Sequence, residues 1–240
     1  MASSAPFVLV HGGYHGAWCW QFLTPLLTRP ALAVDLPGRG SKPADLDQVG
    51  IEMSADSVVA DIDAAGFDRV VLVGHSLGGA TLPAIARCIP ERVEHLVFIS
   101  TLVARDGKSI IESMPEHLQE QSRQRLRIEH GAVSTISREH HREQLCNDLS
   151  EEQCAFVLDR VGPDSLHFFH DRVDWSKVPV TIPRTYVRLR QDRALVPDMQ
   201  LHMIENLRAN GGRVDVREID SGHQVMISQP HVLASLLESL

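Results

Sequence analysis

A serine set between two glycines is the residue whose surroundings most clearly suggest chemistry. Residues 74–78 read GHSLG, with Ser76 at the centre. An apolar run, residues 70–73, precedes the motif and helix-forming residues follow it, which is the strand–turn–helix context that a G-x-S-x-G nucleophile requires. A bare match occurs by chance on the order of 0.1 times in a chain of this length. The pattern therefore predicts a nucleophilic Ser76, raised above the carboxyl edge of a sheet at a helix N-terminus.

A serine hydroxyl needs a base to accept its proton, and His223 is the histidine best placed to be one. It follows a predicted last strand (213–219), has a glycine before it and precedes a predicted closing helix (229–240). The chain has thirteen histidines, but only this one combines the three features. Because loops that follow parallel strands lie at one edge of the sheet, we expect His223 to lie near Ser76.

An imidazole base is oriented by a carboxylate that fixes its tautomer. Asp192 follows the predicted strand at residues 184–189 and comes before His223. The resulting chain order of Ser, Asp and His is the one that a G-x-S-x-G site favours. Asp106 follows the preceding strand and Asp198 lies six residues beyond Asp192, so both remain alternatives.

A glycine pair at residues 12–13 ends the first predicted strand. Rigid backbone N–H groups can stabilise a developing oxyanion, and we predict Gly13 and Leu77 as the two donors, a simple turn being the alternative for the glycines. Neighbouring residues are candidates for a substrate pocket: Gly12, Tyr14, His15, Trp18, Leu102 and Gln224. For Tyr14, His15 and Trp18, core packing is the alternative.

The first hundred residues alternate between predicted strands and helices. Strands are predicted at residues 7–10, 31–34, 70–73 and 93–100, and helices at 18–28, 53–65 (with Ser54 as N-cap) and 77–89. Strands that are apolar on both faces are typical of a parallel sheet covered by helices. We therefore predict an α/β fold with a doubly wound, mostly parallel sheet of about six strands.

The pattern changes at about residue 103. Residues 103–175 show no clean strand and contain six of the thirteen histidines, with amphipathic stretches at 116–129 and 151–160. The α/β rhythm then resumes, including a predicted helix at 198–209. We predict a core formed by residues 1–102 and 176–240, into which a helical cap, residues 103–175, is inserted.

Composition excludes several classes of protein. A net charge of -8 repels phosphate backbones, so we expect no nucleic-acid partner. No apolar run approaches the roughly 20 residues of a membrane span, so we expect no membrane partner. The four cysteines lack a C-x-x-C or framework spacing and the first residues lack a basic leader, which favours a cytoplasmic location. We expect no metal and no cofactor, and we make no prediction about the oligomeric state.

The GHSLG turn, the HGG loop and the last loop together resemble the α/β-hydrolase superfamily. Within it, residues 8–20, 35–41, 74–79 and 222–236 resemble the branch of plant methylesterases and hydroxynitrile lyases and its bacterial esterase relatives. The resemblance covers both flanks of the chain well and the insertion poorly. It implies a six-stranded sheet with a lid, the triad of Ser76, Asp192 and His223, and oxyanion donors at Gly13 and Leu77.

Two positions depart from the lyases of this branch, which carry Thr where Gly12 stands and Lys where Gln224 stands. A lyase would need a cation near the leaving cyanide, so hydrolysis is favoured. Methylesterases of the branch often carry Met at the position of Gln224, which argues against a salicylate- or jasmonate-type substrate. We predict a cofactor-independent serine carboxylic-ester hydrolase that acts through an acyl-enzyme on a small or medium ester. A lactonase, thioesterase or acyltransferase on the same triad, a hydroxynitrile lyase and a non-catalytic small-molecule receptor are the alternatives.

Overall fold

A parallel sheet lies at the centre of the computed structural model, which describes residues 5–128 and 131–240. The strands of the described residues are β1 (Phe7–Val10), β2 (Ala31–Val34), β3 (Val70–His75), β4 (Val93–Ile99), β5 (Val133–Ser134), β6 (Asp164–Ser165), β7 (Arg184–Leu189) and β8 (Val214–Ile219). Six of them form one sheet in the order β2-β1-β3-β4-β7-β8. Every pairing in this sheet is parallel, so the predicted fold class is confirmed.

Helices cover both faces of the sheet. They are α1 (Ile51–Ala64), α2 (Leu82–Cys88), α3 (Glu116–Arg125), α4 (Arg138–Leu145), α5 (Glu151–Leu158), α6 (His167–His170), α7 (Pro197–Ala209), α8 (Val225–Ser228) and α9 (Pro230–Glu238). Val8 and Val10 pack into one apolar cluster with α1, α2 and α7. Phe7 and Leu9 alternate with them and pack into a second cluster with α8 and α9. Burial on both faces is the reason why β1 is apolar throughout.

Two predicted helices are wrong in part. Residues 18–28 form two 3₁₀ turns, Ala17–Trp20 and Thr24–Leu26, instead of a helix, because Pro25 lacks the N–H group that a continuous helix would need there. Residues 77–89 begin as a 3₁₀ turn, Ser76–Thr81, and become helical only at α2. The tighter turn belongs to the bend that carries Ser76.

Ser54 is not the N-cap of α1, contrary to the prediction. The helix begins earlier, after Gly50, and Ser54 is buried within it. The N–H of Ile51 donates to the Asp171 carboxylate (2.8 Å), which is a favourable position for negative charge. The N-terminus of α1 is thus stabilised by a carboxylate that lies 120 residues away in the chain.

Residues 103–175, which we call the cap, contain helices α3 to α6 and a small antiparallel ribbon. The ribbon pairs β5 with β6, so that Ser134 lies opposite Asp164. The prediction of no clean strand in this segment missed this ribbon. Strands of two residues are too short to show an alternating pattern of apolar and polar residues. The predicted helix at 116–129 ends at Arg125, and Glu129 lies outside the described residues. The core-and-cap boundaries stay a prediction.

Within residues 5–128 and 131–240, no helix is both long enough and apolar enough to cross a membrane.

Candidate active site

The turn after β3 presents Ser76 in a conformation that few residues other than glycine adopt. Its φ is 51°, in the left-handed region. A Cβ atom at Gly74 would lie 2.8 Å from the backbone of Gly79, and one at Gly78 only 2.1 Å from the carbonyl oxygen of His11. Both positions that flank the serine must therefore be glycine for the chain to turn this sharply.

Asp192 and His223 form a buried hydrogen-bonded pair at the same edge of the sheet. The Nδ1–H of His223 donates to Asp192 Oδ2 (2.6 Å), and the Ser100 hydroxyl donates to the same oxygen (2.6 Å). Oδ1 accepts the N–H groups of Ala194 and Leu195 (both 2.8 Å). Since the carboxylate holds the proton on Nδ1, the other imidazole nitrogen, Nε2, carries a lone pair and can act as a base.

The surroundings of Asp192 keep its carboxyl group ionised. Burial, the largest influence, acts to raise its pKa, but the His223 imidazole and the hydrogen bonds from Ser100 and Leu195 outweigh it and lower the pKa below the usual value. An ionised carboxylate in this place can stabilise an imidazolium when His223 takes up a proton.

The structure brings His223 next to the serine turn through His75. The Nε2–H of His75 donates to the carbonyl oxygen of His223 (2.9 Å), and the two rings are 4.5 Å apart. Ser76 is half-buried, and among the described residues no hydrogen bond joins its hydroxyl to His223. Catalytic hydrogen bonds are often long until substrate binds, so the lack of this contact does not argue against His223 as the base.

The two alternative acids lie elsewhere. Asp106 is exposed and accepts the N–H of Trp175 (2.8 Å), while Asp198 lies exposed in the first turn of α7. Of the three carboxylates, Asp192 is the one that contacts His223.

Gly13 and Leu77, the predicted oxyanion donors, lie side by side. A Cβ atom at Gly13 would be 3.2 Å from the Leu77 side chain. The Gly13 N–H has no acceptor among residues 5–128 and 131–240, and Leu77 lies in the first turn after β3, where N–H groups lack intrahelical partners. Both residues line a cavity of about 10 Å³, enough for about one water-sized group.

Three candidate pocket residues form a connected group. His15 Nδ1–H donates to the Gly13 carbonyl (2.6 Å), so its Nε2 accepts the Gln224 amide N–H (2.8 Å). Burial lowers the pKa of His15 to about 3, and the ring is therefore neutral. Trp18 stacks on His15 with ring centroids 5.1 Å apart.

The other three pocket candidates have different surroundings. A Cβ atom at Gly12 would lie 2.8 Å from Ser76 Cβ, so a larger residue there would displace the serine. Leu102 is half-buried and packs against the apolar core. Tyr14 points its hydroxyl towards the cap, where it hydrogen-bonds to Ser134 (2.9 Å).

Sequence reasoning missed several residues that shape the site. Ser100 donates a hydrogen bond to Asp192. Among the described residues, the non-glycine residues with positive φ are Ser100, Tyr14 and Ser76. Residues with such strained backbones cluster at functional sites. The place of Ser100 at the end of a predicted strand was a signal that could have identified it. Asp164 contacts the loop that carries Gly13, and no sequence pattern marks it.

A metal centre finds no support in the part of the chain that the structure describes. No group of three or more His, Cys, Asp or Glu side chains converges there. His167 and His170 each donate an Nε2–H to a backbone carbonyl, of Asp47 (2.8 Å) and Leu126 (2.6 Å) respectively, so these nitrogens are already occupied.

Comparisons with known proteins agree with this architecture. Norfluorocurarine synthase 2 from Strychnos sp is 27% identical over 254 residues, covering 96% of this chain and 93% of the relative. Esterase PIR7B from Oryza sativa subsp. japonica is 27% identical over 265 residues, covering 98% and 95% respectively. A solved extracellular α/β-hydrolase from a Paenibacillus species, described as homologous in structure and function to tobacco salicylic acid binding protein 2, matches with a TM-score of 0.82 at 21% identity over 98% of each chain. That structural likeness shows the fold alone.

A sequence model of the alpha/beta hydrolase family matches residues 7–236, almost the whole chain. The chain therefore belongs to the alpha/beta hydrolase family.

Proposed function

We propose that this protein is a cofactor-independent serine hydrolase of carboxylic esters. The observation that carries the proposal is the His223–Asp192 hydrogen bond of 2.6 Å, which leaves His223 Nε2 free as a base at the edge where Ser76 is presented. Esterase PIR7B, to which this chain is similar over nearly the full length of both proteins, supports the same reaction class.

In the first half of the reaction, Ser76 Oγ attacks the ester carbonyl carbon while His223 Nε2 accepts the hydroxyl proton. The carbonyl π electrons move to oxygen, and the N–H groups of Gly13 and Leu77 stabilise this oxyanion, each lowering the barrier by about 3 kcal/mol. Asp192 stabilises the imidazolium without taking its proton. As the tetrahedral intermediate collapses, the alcohol leaves with the proton from His223.

In the second half, His223 Nε2 removes a proton from water, whose oxygen attacks the acyl-enzyme. The same oxyanion donors stabilise the second tetrahedral intermediate. Ser76 leaves with the proton from His223, which regenerates the enzyme and releases the acid.

The substrate is proposed to be a small or medium ester whose acyl and alcohol parts lie between the edge of the sheet and the cap. Gly12 lets the oxyanion loop approach Ser76 closely, and Trp18 of the core contacts Phe156 of the cap, with ring centroids 5.5 Å apart. A cyanide-releasing lyase is disfavoured because Gln224, the residue after the base, is uncharged and binds a neutral His15.

The test is a panel of p-nitrophenyl and methyl esters of graded acyl length. We expect hydrolysis by the wild type and a loss of at least 10³-fold in kcat for Ser76→Ala. Ser54→Ala is the matched control, since Ser54 is buried in α1 and its hydroxyl has no partner among the described residues. A phosphonate inhibitor should add its mass to the peptide that contains Ser76. Hydrolysis retained by Ser76→Ala, or ligand binding by the wild type without turnover, would contradict the proposal.

We also propose a cytoplasmic location. It is supported by four cysteines that are all free thiols, two of them buried, Cys19 and Cys154. Cell fractionation tests it, and recovery of the protein in the secreted fraction would contradict it.

A further inference from the structure

The cap ribbon holds Tyr14, in the oxyanion loop (residues 12–15), from three sides. The Tyr14 N–H donates to Asp164 Oδ2 (2.6 Å), and its carbonyl accepts the N–H of Gly162 (3.0 Å). Its hydroxyl hydrogen-bonds to Ser134 Oγ (2.9 Å). Ser134 and Asp164 are paired in the ribbon and Gly162 lies two residues before β6, so the main chain and the side chain of Tyr14 are both held by one small part of the cap.

The backbone of Tyr14 needs such support. Its φ of 64° is disfavoured for a residue with a side chain, and surrounding contacts must hold it. The N–H that Asp164 binds belongs to the Gly13–Tyr14 peptide, which is planar, so this hydrogen bond fixes the orientation of the backbone immediately after the proposed oxyanion donor, Gly13. The carbonyl of the same peptide accepts the Nδ1–H of His15 (2.6 Å).

The negative charge of Asp164 lies beside the proposed oxyanion donor Gly13 and is balanced by Arg39. A Cβ atom at Gly13 would lie only 3.1 Å from Asp164 Oδ2, so an isolated carboxylate there would repel an oxyanion. Arg39, which is also buried, forms an ion pair with Asp164 Oδ1. Both side chains line the small cavity beside Gly13 and Leu77.

We propose that Asp164 is a positioning residue that sets the oxyanion loop in its catalytic conformation, with Arg39 neutralising its charge. The cap ribbon and the oxyanion hole would then form one unit, and the hole would be complete only while the cap is docked. This inference rests on the proposed ester hydrolysis.

The experiment compares how Asp164 variants bind the ground state and the transition state. For Asp164→Ala we expect kcat on a p-nitrophenyl ester to fall 10- to 100-fold, with KM within threefold of the wild type, because a misplaced donor affects charge that develops only in the transition state. The Ki of an alkyl trifluoromethyl ketone, which forms an oxyanionic adduct with the serine, should rise by a similar factor. Asp164→Asn retains an acceptor oxygen for Tyr14 and should recover most of the loss.

The matched control is Asp171→Ala. Asp171 also joins cap to core, since its carboxylate accepts the N–H of Ile51 (2.8 Å), but this contact lies at the start of α1 and outside both the ribbon and the oxyanion loop. We expect its kcat, KM and ketone Ki to remain within threefold of the wild type.

A second variant separates positioning from folding. Replacing the buried pair by apolar side chains of similar size, Arg39→Met with Asp164→Leu, should preserve the fold while removing the acceptor for Tyr14. It should therefore show the same losses as Asp164→Ala, at a melting temperature close to that of the wild type.

Two results would overturn the inference. One is a folded Asp164→Ala or double variant with wild-type kcat; the other is a fall in kcat with an unchanged ketone Ki. If instead the wild type hydrolyses no ester, or Ser76→Ala is as active as the wild type, the proposed function itself fails.

Discussion

The sheet is held in place by apolar burial, whereas the cap is held by apolar and polar contacts together. The strands of the sheet are buried on both faces by apolar side chains, whereas α3 of the cap buries no residue at all. Other cap side chains, such as Phe168, Trp175 and Val157, pack into the two apolar clusters of the core. Single polar contacts also join cap to core, such as Ser165 Oγ to the carbonyl of Val49 (2.6 Å) and Ala132 N–H to Asp47 (2.5 Å).

The polar contacts of the cap converge on the loops that carry the proposed catalytic groups. Asp164 binds the oxyanion loop at Tyr14, and Asp148 binds the N–H of Gly222, the residue before His223 (2.7 Å). Asn147 donates to the carbonyl of Gln191, the residue before Asp192 (2.9 Å). Apolar burial therefore builds the sheet, while directed hydrogen bonds from the cap adjust the loops at its edge.

The largest contrast is expected between two carboxylates, Asp192 in a core loop and Asp106 within the cap. Asp192→Asn should lower kcat roughly 10⁴-fold, because the amide no longer fixes the His223 tautomer. Asp106→Asn removes the charge, keeps an oxygen that can accept the N–H of Trp175, and should leave kcat within threefold. Steady-state kinetics on one p-nitrophenyl ester compares them, and equal losses would place Asp106 in the site.

Acid is expected to weaken the core through its buried histidines. Burial lowers the pKa of His11 to about 4, of His15 to about 3 and of His95 to about 4. The unfolded chain, with pKa values near 6.5, binds more protons than the folded chain between these limits, so the stabilisation is full above pH 6.5 and is lost as pH falls. Each histidine should remove about 2 kcal/mol of unfolding free energy between pH 6.5 and pH 5.

Urea unfolding at the two pH values measures this effect. His95 hydrogen-bonds to Thr185 (2.9 Å) away from the catalytic edge, so His95→Gln should reduce the pH dependence without altering the site. An unfolding free energy that does not change between pH 6.5 and pH 5 would show that these histidines are not buried as neutral rings.

Two glycines test packing in the two regions. Gly78→Ala should cost about 3 kcal/mol of unfolding free energy, because its Cβ would lie 2.1 Å from a backbone carbonyl oxygen. Gly162→Ala, in the cap, has no atom within 4 Å of the added carbon and should change stability by less than about 0.5 kcal/mol. Chemical denaturation of both variants gives the comparison, and similar costs would mean that the turn at Ser76 tolerates a side chain.

The smallest effect is expected on the cap surface. Arg138 and Asp159 form an exposed ion pair (2.8 Å), and such pairs contribute little in water. Asp159→Ala should alter the melting temperature by less than about 2 °C and leave kcat unchanged. A larger shift in melting temperature would indicate that this ion pair stabilises the protein more than exposed ion pairs usually do.

The sequence alone determined the sheet and much of the site. Apolar runs predicted the four strands β1 to β4, because double-sided burial leaves a continuous apolar signal. The α/β rhythm that resumes after the cap predicted β7 and β8. Ser76, Asp192 and His223 follow β3, β7 and β8, and parallel geometry places strand ends together. The contact between Asp192 and His223 was therefore predictable from chain order and from the ends of strands.

Only the tertiary structure decided which residues of the cap contact that site. The ribbon of β5 and β6 has too few residues for a period, and Asp164 lies 150 residues from Tyr14, to which it binds. Similarly, Asp171 accepts the N–H of Ile51 at the start of α1, although the two residues are 120 positions apart in the chain. No local pattern predicts either contact. Hydrophobic burial is additive along a strand and leaves its trace in composition, whereas a single directed hydrogen bond depends on where two distant segments meet.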